Sequence, residues 1–192
     1  MTTPSVELAP HQGALPGWRA NLEIAAIGLG ALMAALAQTL ILPVLPVISR
    51  DLHASTTQSQ WLLTSTLLVA AAAVPVISRL ADMFGRRLML MICLLALAGG
   101  STIDALTSNV GVMIFGRAIA GLSSAAIPLG ISLLAAVLPP ARRGSAVALV
   151  SAMLGVGGAL GLPLAGLIAE HFDYHVLYWI GAVGALISLI LG

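Results

Sequence analysis

The chain has no lysine, a single cysteine and few charged residues of either sign, 8% in all. Each shortage excludes something. Every basic side chain is an arginine and the formal net charge is only +1, so the balance supports no reading as a nucleic-acid binder. One cysteine, Cys93, cannot form an intrachain disulfide or a cysteine-rich metal centre. So few charges cannot cover the outer faces of a soluble helical bundle of this length. No nucleophile–base pair or phosphate-binding loop stands out, so neither an enzyme nor a cofactor site is expected. The cluster Gly155-Val156-Gly157-Gly158 lies in an apolar run with no strand before it, which argues against a dinucleotide fingerprint. His171 and His175 stand four apart around Asp173, a spacing that holds metal on a helix, but their place in a short loop with aromatic neighbours reads as a solvated turn. No metal is expected. The first twenty residues lack the charged-then-apolar order of a signal peptide, and the run that follows is too long for one. That run reads as an uncleaved spanning helix.

Apolar sequence is what the chain has in excess, at 59%. Six segments are long enough to cross a hydrocarbon core as helices: roughly Leu22–Ser49, Gln60–Leu80, Leu88–Leu106, Val110–Leu138, Ser145–Ala169 and Val176–Gly192. The expected fold is an all-α membrane protein, with a tail over 1–20 and a six-transmembrane-helix bundle over 21–192. Arginine placement orients it. Arg19, the group Arg79, Arg86 and Arg87, and the pair Arg142 and Arg143 fall on one side of the alternation. That side is expected to be the cytoplasm, with the N-terminus inside and the protein in a bacterial cytoplasmic membrane. Arg50, Asp51, Asp104, Glu170 and Asp173 fall toward the other side. Trp61, Tyr174, Tyr178 and Trp179 are then outer aromatic anchors and Trp18 an inner one.

The most specific pattern is Ser78-Arg79-Leu80-Ala81-Asp82-Met83-Phe84-Gly85-Arg86-Arg87, a charged turn between two apolar runs. Gly85 suits a tight reversal between antiparallel helices. Asp82 can accept from free N–H groups at a helix start, and Arg86 and Arg87 can pair with it or with lipid phosphates. A positive-inside anchor is the plainer reading. The pattern resembles the loop between the second and third helices of major facilitator superfamily transporters, Gly-x-Leu-Ala-Asp-Arg-x-Gly-Arg-Arg, with Ser78 and Met83 as departures. The resemblance implies a conformational latch made by Asp82, Gly85, Arg86 and Arg87 against a second half of the molecule.

Three further patterns bear on the same resemblance. Arg117 lies several residues inside the fourth apolar segment, where a charge costs roughly 2.5–3.5 kcal/mol and should face protein or water. Gly121 follows at helical spacing and allows close packing, with Ser124 and Pro128 on nearby turns. The Arg-x-x-x-Gly pattern is similar to the family's fourth-helix motif, which implies a cavity and proton-coupling role. The alternative is an arginine snorkelling outward. On the fifth segment Gly157, Gly161, Ala165 and Ala169 recur every four residues, with Gly158, Pro163 and Gly166 between them. Generic helix packing would explain the stripe. It also resembles the fifth-helix motif of drug–proton antiporters, Gly-x-x-x-Gly-Pro-x-x-Gly-Gly, in which Gly157, Gly161, Pro163 and Gly166 would be the motif residues, with the proline one place late. Leu36-Ala37-Gln38-Thr39-Leu40 resembles a first-helix motif of the fourteen-helix drug exporters, but Ala37 stands where an aspartate is expected. Gln38 and Thr39 remain as hydrogen-bonding partners for Arg117 or a substrate. Asp104 is placed at the outer interface rather than read as a proton carrier.

The resemblance therefore implies the N-terminal half of a major facilitator fold, built from two inverted three-helix repeats. The expected task is export of small amphipathic or drug-like molecules by proton antiport. Its partners would be a small-molecule substrate, a proton, the lipid bilayer and a C-terminal helix bundle lying outside this chain. An uptake or metabolite transporter, or a half-size membrane protein that does not transport, are the alternatives.

Overall fold

A computed structural model describes residues 17–171 and 173–191. The tail up to residue 16 and the end of the sixth segment at Gly192 lie outside the described residues, and from Gly17 onward the expected tail is already helical. Every regular element among the described residues is a helix. The first span is α1 (Gly17–Thr39) followed by α2 (Ile41–Asp51). The second is α3 (Thr56–Phe84) and the third is α4 (Arg86–Leu106). The fourth is α5 (Val110–Gly121), a 3-10 stretch (Leu122–Ala125) and α6 (Ala126–Val137). The fifth is α7 (Pro140–His171) and the sixth is α8 (His175–Leu191). Five of the spans contain a helix long and apolar enough to cross a membrane, and α8 is a shorter apolar helix of 17 residues.

Local chemistry sets the boundaries that hydropathy blurs. Ser55 and Gln58 form a reciprocal capping box, so α3 starts ahead of the apolar run expected from Gln60. Asn109 caps α5 by accepting from the N–H groups of Gly111 and Val112 at 2.9 and 3.3 Å. Gly85 ends α3 and begins α4 at φ 100°, a conformation that only glycine takes without strain. Proline accounts for two interruptions that the segments Leu22–Ser49 and Val110–Leu138 do not anticipate. Pro43 has no N–H for the carbonyl of Thr39, and the first span breaks at Leu40. Pro128 likewise cannot bond back to Ser124, which lies inside the 3-10 stretch.

The spans pack through small residues. α1 lies against α7 and α8, α4 against α8 and α5, and α3 against α5. A methyl on Gly100 would stand 2.5 Å from the Gly116 carbonyl, and one on Gly157 would stand 2.8 Å from the Leu32 carbonyl. Such approaches let backbones touch where lipid offers no hydrophobic drive to associate. The spans are unequally covered. The apolar windows of α1 and α4 are 61% and 56% buried, but those of α3 and α7 only 28% and 17%. These two helices therefore offer faces that this bundle does not use.

Candidate functional site

Arg117 is 3% exposed, seven residues into α5. Its Nη1 and Nη2 donate to one acceptor, the carbonyl of Ala37, at 3.3 and 3.1 Å. That carbonyl is in the last turn of α1, where intrahelical donors run out. The break at Leu40 thus supplies a backbone oxygen at the position where the side chain of residue 37 offers none. The guanidinium carbon lies 5.5 Å from the ring centroid of Tyr178 on α8, within cation–π range. The Arg117 carbonyl accepts from Thr66 Oγ1 at 3.1 Å, tying α5 to α3. This is an inward-held arginine, and the snorkelling alternative does not describe it.

Asp104 corrects the sequence expectation. It is fully buried, not an outer-interface residue, and neither carboxylate oxygen has a hydrogen-bond partner. Gly116, next to Arg117, leaves the space it fills: a methyl there would clash with Oδ1 and stand 3.1 Å from Cγ. Arg117 acts on Asp104 through space, and on Tyr178 as well. The Tyr178 hydroxyl is buried without a partner, and so is Arg117 Nε. Tyr178 is therefore a wall of the cluster, not an interfacial anchor, whereas Trp61 and Trp179 are exposed as anchors should be. Periodicity carries a signal that finds Asp104. Leu97, Gly100, Ser101 and Asp104 share the buried face of α4 at helical spacing.

Gln38 and Ser124 meet, with Nε2 of Gln38 donating to Ser124 Oγ at 3.3 Å. Gln38, Thr66 and Arg117, together with Ile41, Leu63 and Leu67, line a cavity of about 190 Å³ between the first, second and fourth spans. Thr39 does not join this group. Its hydroxyl donates back to the carbonyls of Ala35 and Leu36, and it packs into Gly161. Gly121 is a contact glycine, since a methyl there would stand 2.7 Å from the Thr66 carbonyl.

The turn expected to act as a latch is an exposed feature at the other end of α4. Asp82 and Arg86 approach to 3.7 Å with 70% and 41% of their side chains exposed. Arg86 also donates to the Ser132 carbonyl at 3.2 Å. Arg87 lines a narrow cleft with Glu23. Arg142 donates to Asn21 Oδ1 at 2.6 Å and Arg143 to the Leu138 carbonyl at 2.8 Å, so these arginines gather at one end of the bundle.

The fifth-span motif splits. Gly157 and Gly161 seat α7 against α1, whereas Gly158 and Gly166 have nothing within 4 Å of an added methyl, and Pro163 is exposed. At the end opposite the arginines, Asp51, Ser108, Asp173, Tyr174 and His175 line a wide polar recess. The side chain of His171 lies outside the described residues, and those that are described contain no group of three or more potential metal ligands. His175 Nδ1 is 2.8 Å from Asp173 Oδ1, and its Nε2 is 3.3 Å from the Thr107 carbonyl. The hydrogen bond with His175 holds Asp173 below the usual carboxylate range. Burial, helped by the charges of Asp173 and Asp51, pushes the Tyr174 phenol up.

Residues 27–192 match the model of the Major Facilitator Superfamily. An MFS-type transporter of Aspergillus terreus is 34% identical over 164 residues, covering 84% of this chain and 30% of the relative. The tetracenomycin C resistance and export protein of Streptomyces glaucescens is 29% identical over 168 residues, covering 87% and 31%. The crystal structure of a D-xylose–proton symporter superposes with a TM-score of 0.75 at 18% identity, covering 89% of this chain and 47% of that one. The chain thus spans about three-tenths of the length of these curated relatives. The six-span bundle is one half of the fold seen in the symporter.

Proposed function

Because the chain belongs to the Major Facilitator Superfamily, a family of membrane transporters, we propose that it is the N-terminal half of a secondary active exporter. Its cargo would be small amphipathic or drug-like molecules, moved against protons by alternating access around a midplane site. The observation that carries this reading is Arg117, buried at the edge of a cavity and forked onto the Ala37 carbonyl. A charge kept inside a membrane bundle has a function by default, and a fork fixed on a backbone oxygen is a rigid recognition element. Gln38 and Ser124 add adaptable hydrogen bonds beside it. The Streptomyces relative, a resistance and export protein, supports the outward direction.

In this reading the sparsely covered faces of α3 and α7 meet a second helix bundle, and the Asp82 turn latches against it. The arginine-gathered end faces the cytoplasm of a bacterial cell. The unpacked Gly158 and Gly166, and a proline one place late, favour a second reading as an uptake or metabolite transporter. The deciding test is efflux of a dye panel from cells expressing the complete reading frame, with and without a proton gradient. Gradient-dependent efflux is expected. Gradient-driven accumulation would support uptake, and no movement of any probe would remove the export reading.

A further inference from the structure

The cluster around Arg117 is short of hydrogen bonds in a way that packing alone does not require. Asp104 offers two unpartnered oxygens, Tyr178 an unpartnered hydroxyl and Arg117 an unpartnered Nε–H, all buried. A buried carboxylate with no hydrogen bond is tolerated only if it is paired or can shed its charge. Arg117 provides a counter-charge, but its two terminal nitrogens are committed to Ala37. We propose that Asp104 is the carboxylate that binds and releases the transported proton, doing so from the third span because the first carries Ala37 instead of an acid. This rests on the proton-antiport reading above.

The placement suits the task. Asp104 is two residues from the end of α4, about 3 Å along the axis. The polar recess lies just beyond that end. Its His175 ring nitrogens lie 2.8 Å from Asp173 Oδ1 and 3.3 Å from the Thr107 carbonyl. Thr107 is the residue that caps α4. Tyr174 in the recess and Tyr178 in the cluster are one helical turn apart. A proton from water in the recess forms an O–H bond on an Asp104 oxygen and leaves a neutral carboxyl. On release that bond breaks, the proton returns to water, and the carboxylate again balances Arg117. The neighbouring helices contribute few other ionisable groups. α5 brings Arg117 and the α8 side brings Tyr174, Tyr178, Asp173 and His175, with Asp51 across the recess. α6 has none, and Arg79 and Asp82 of α3, like Arg86, Arg87 and Cys93 of α4 itself, lie toward the far end.

The test uses the full-length protein in liposomes and an infrared titration, which needs no substrate. A protonated-carboxyl stretching band should disappear reversibly as pH rises, and Asp104→Asn should remove it. If Asp104→Asn does not insert, Asp104→Glu keeps a carboxyl and should move the band and its titration midpoint. A band unchanged in either variant overturns the assignment. In cells, Asp104→Asn should lose gradient-driven dye export while keeping dye exchange down its own gradient. Full gradient-driven export in Asp104→Asn sinks this inference and leaves the export reading standing. Absence of gradient dependence in the unaltered protein instead sinks the antiport reading and this inference with it.

Discussion

The chain sets an aspartate near an arginine in two places, one in contact at the surface and one acting through space in the interior, and the two obey different physics. In the turn, Asp82 and Arg86 face each other at 3.7 Å with most or much of each side chain in solvent. Water and headgroups solvate both ions, so breaking the pair strands nothing. Asp104 and Arg117 are 0% and 3% exposed, so bulk solvent screens neither of them well. The turn is a charge pair that can come apart during a conformational change. Asp104 and Arg117 act on each other through space, so neither can be changed without affecting the other.

The largest expected effect tests that last statement. Arg117→Met should lower stability by about 1–3 kcal/mol, because it takes the nearby positive charge from buried Asp104. Adding Asp104→Leu should recover most of the loss. Unfolding of the purified full-length protein in denaturing detergent reads both variants, and simple additivity would show that the two residues are uncoupled.

Next come two glycines, one from each region, that fail for different reasons. Gly116→Ala puts a methyl where Asp104 sits, and overpacking of this kind costs about 1–3 kcal/mol. Gly85→Ala meets no atom within 4 Å, yet its φ of 100° should cost about 1–3 kcal/mol from the backbone alone. Asp104→Ala should relieve the first variant and leave the second untouched, which a thermal melt series would read. Equal relief of both would erase the distinction between crowding and torsion.

Asp82→Asn should change stability by about 0–1 kcal/mol, as exposed pairs do, while slowing transport if the turn is a latch. Normal transport rates in this variant would reduce the turn to an anchor.

The smallest effect concerns Asp173. His175 lowers its pKa in the folded protein, so its contribution is present above the ordinary carboxylate range and fades as pH falls through the depressed value. Asp173→Asn should remove that acid-side dependence and shift a neutral-pH melting temperature by about 3 °C or less. A larger shift would mean that the recess is a structural element in its own right.

These two regions also mark how far the sequence can be read. The turn was legible because a reversal between two helices needs a glycine and a charged surface, and both are local. Arg117 was legible because a charge inside an apolar run is conspicuous by itself. Asp104 defeats a reading by sequence because closeness to a helix end does not give exposure. The face a residue occupies decides burial, and Gly116 on the neighbouring helix decides the space. Tyr178 looks like an anchor in the sequence for the same reason. The acceptor for Arg117 could not be seen at all, since a backbone carbonyl released by a helix break has no letter in the sequence. Gly157 and Gly161 were found as a stripe, but only the opposing Leu32 and Thr39 separate them from Gly158 and Gly166.

The 3-10 stretch at Leu122–Ala125 changes how the fourth span must be numbered around its axis. An α-helix turns about 100° per residue and a 3-10 helix about 120°, so four residues advance the phase by roughly 80°. A helical wheel drawn straight through from Arg117 is therefore about a quarter-turn out by Leu129. Cysteines placed every fourth residue from Arg117 would keep to its side of the helix as far as Gly121 and then walk off it. A scan that resets its phase after Ala125 should stay on the side that Arg117 faces.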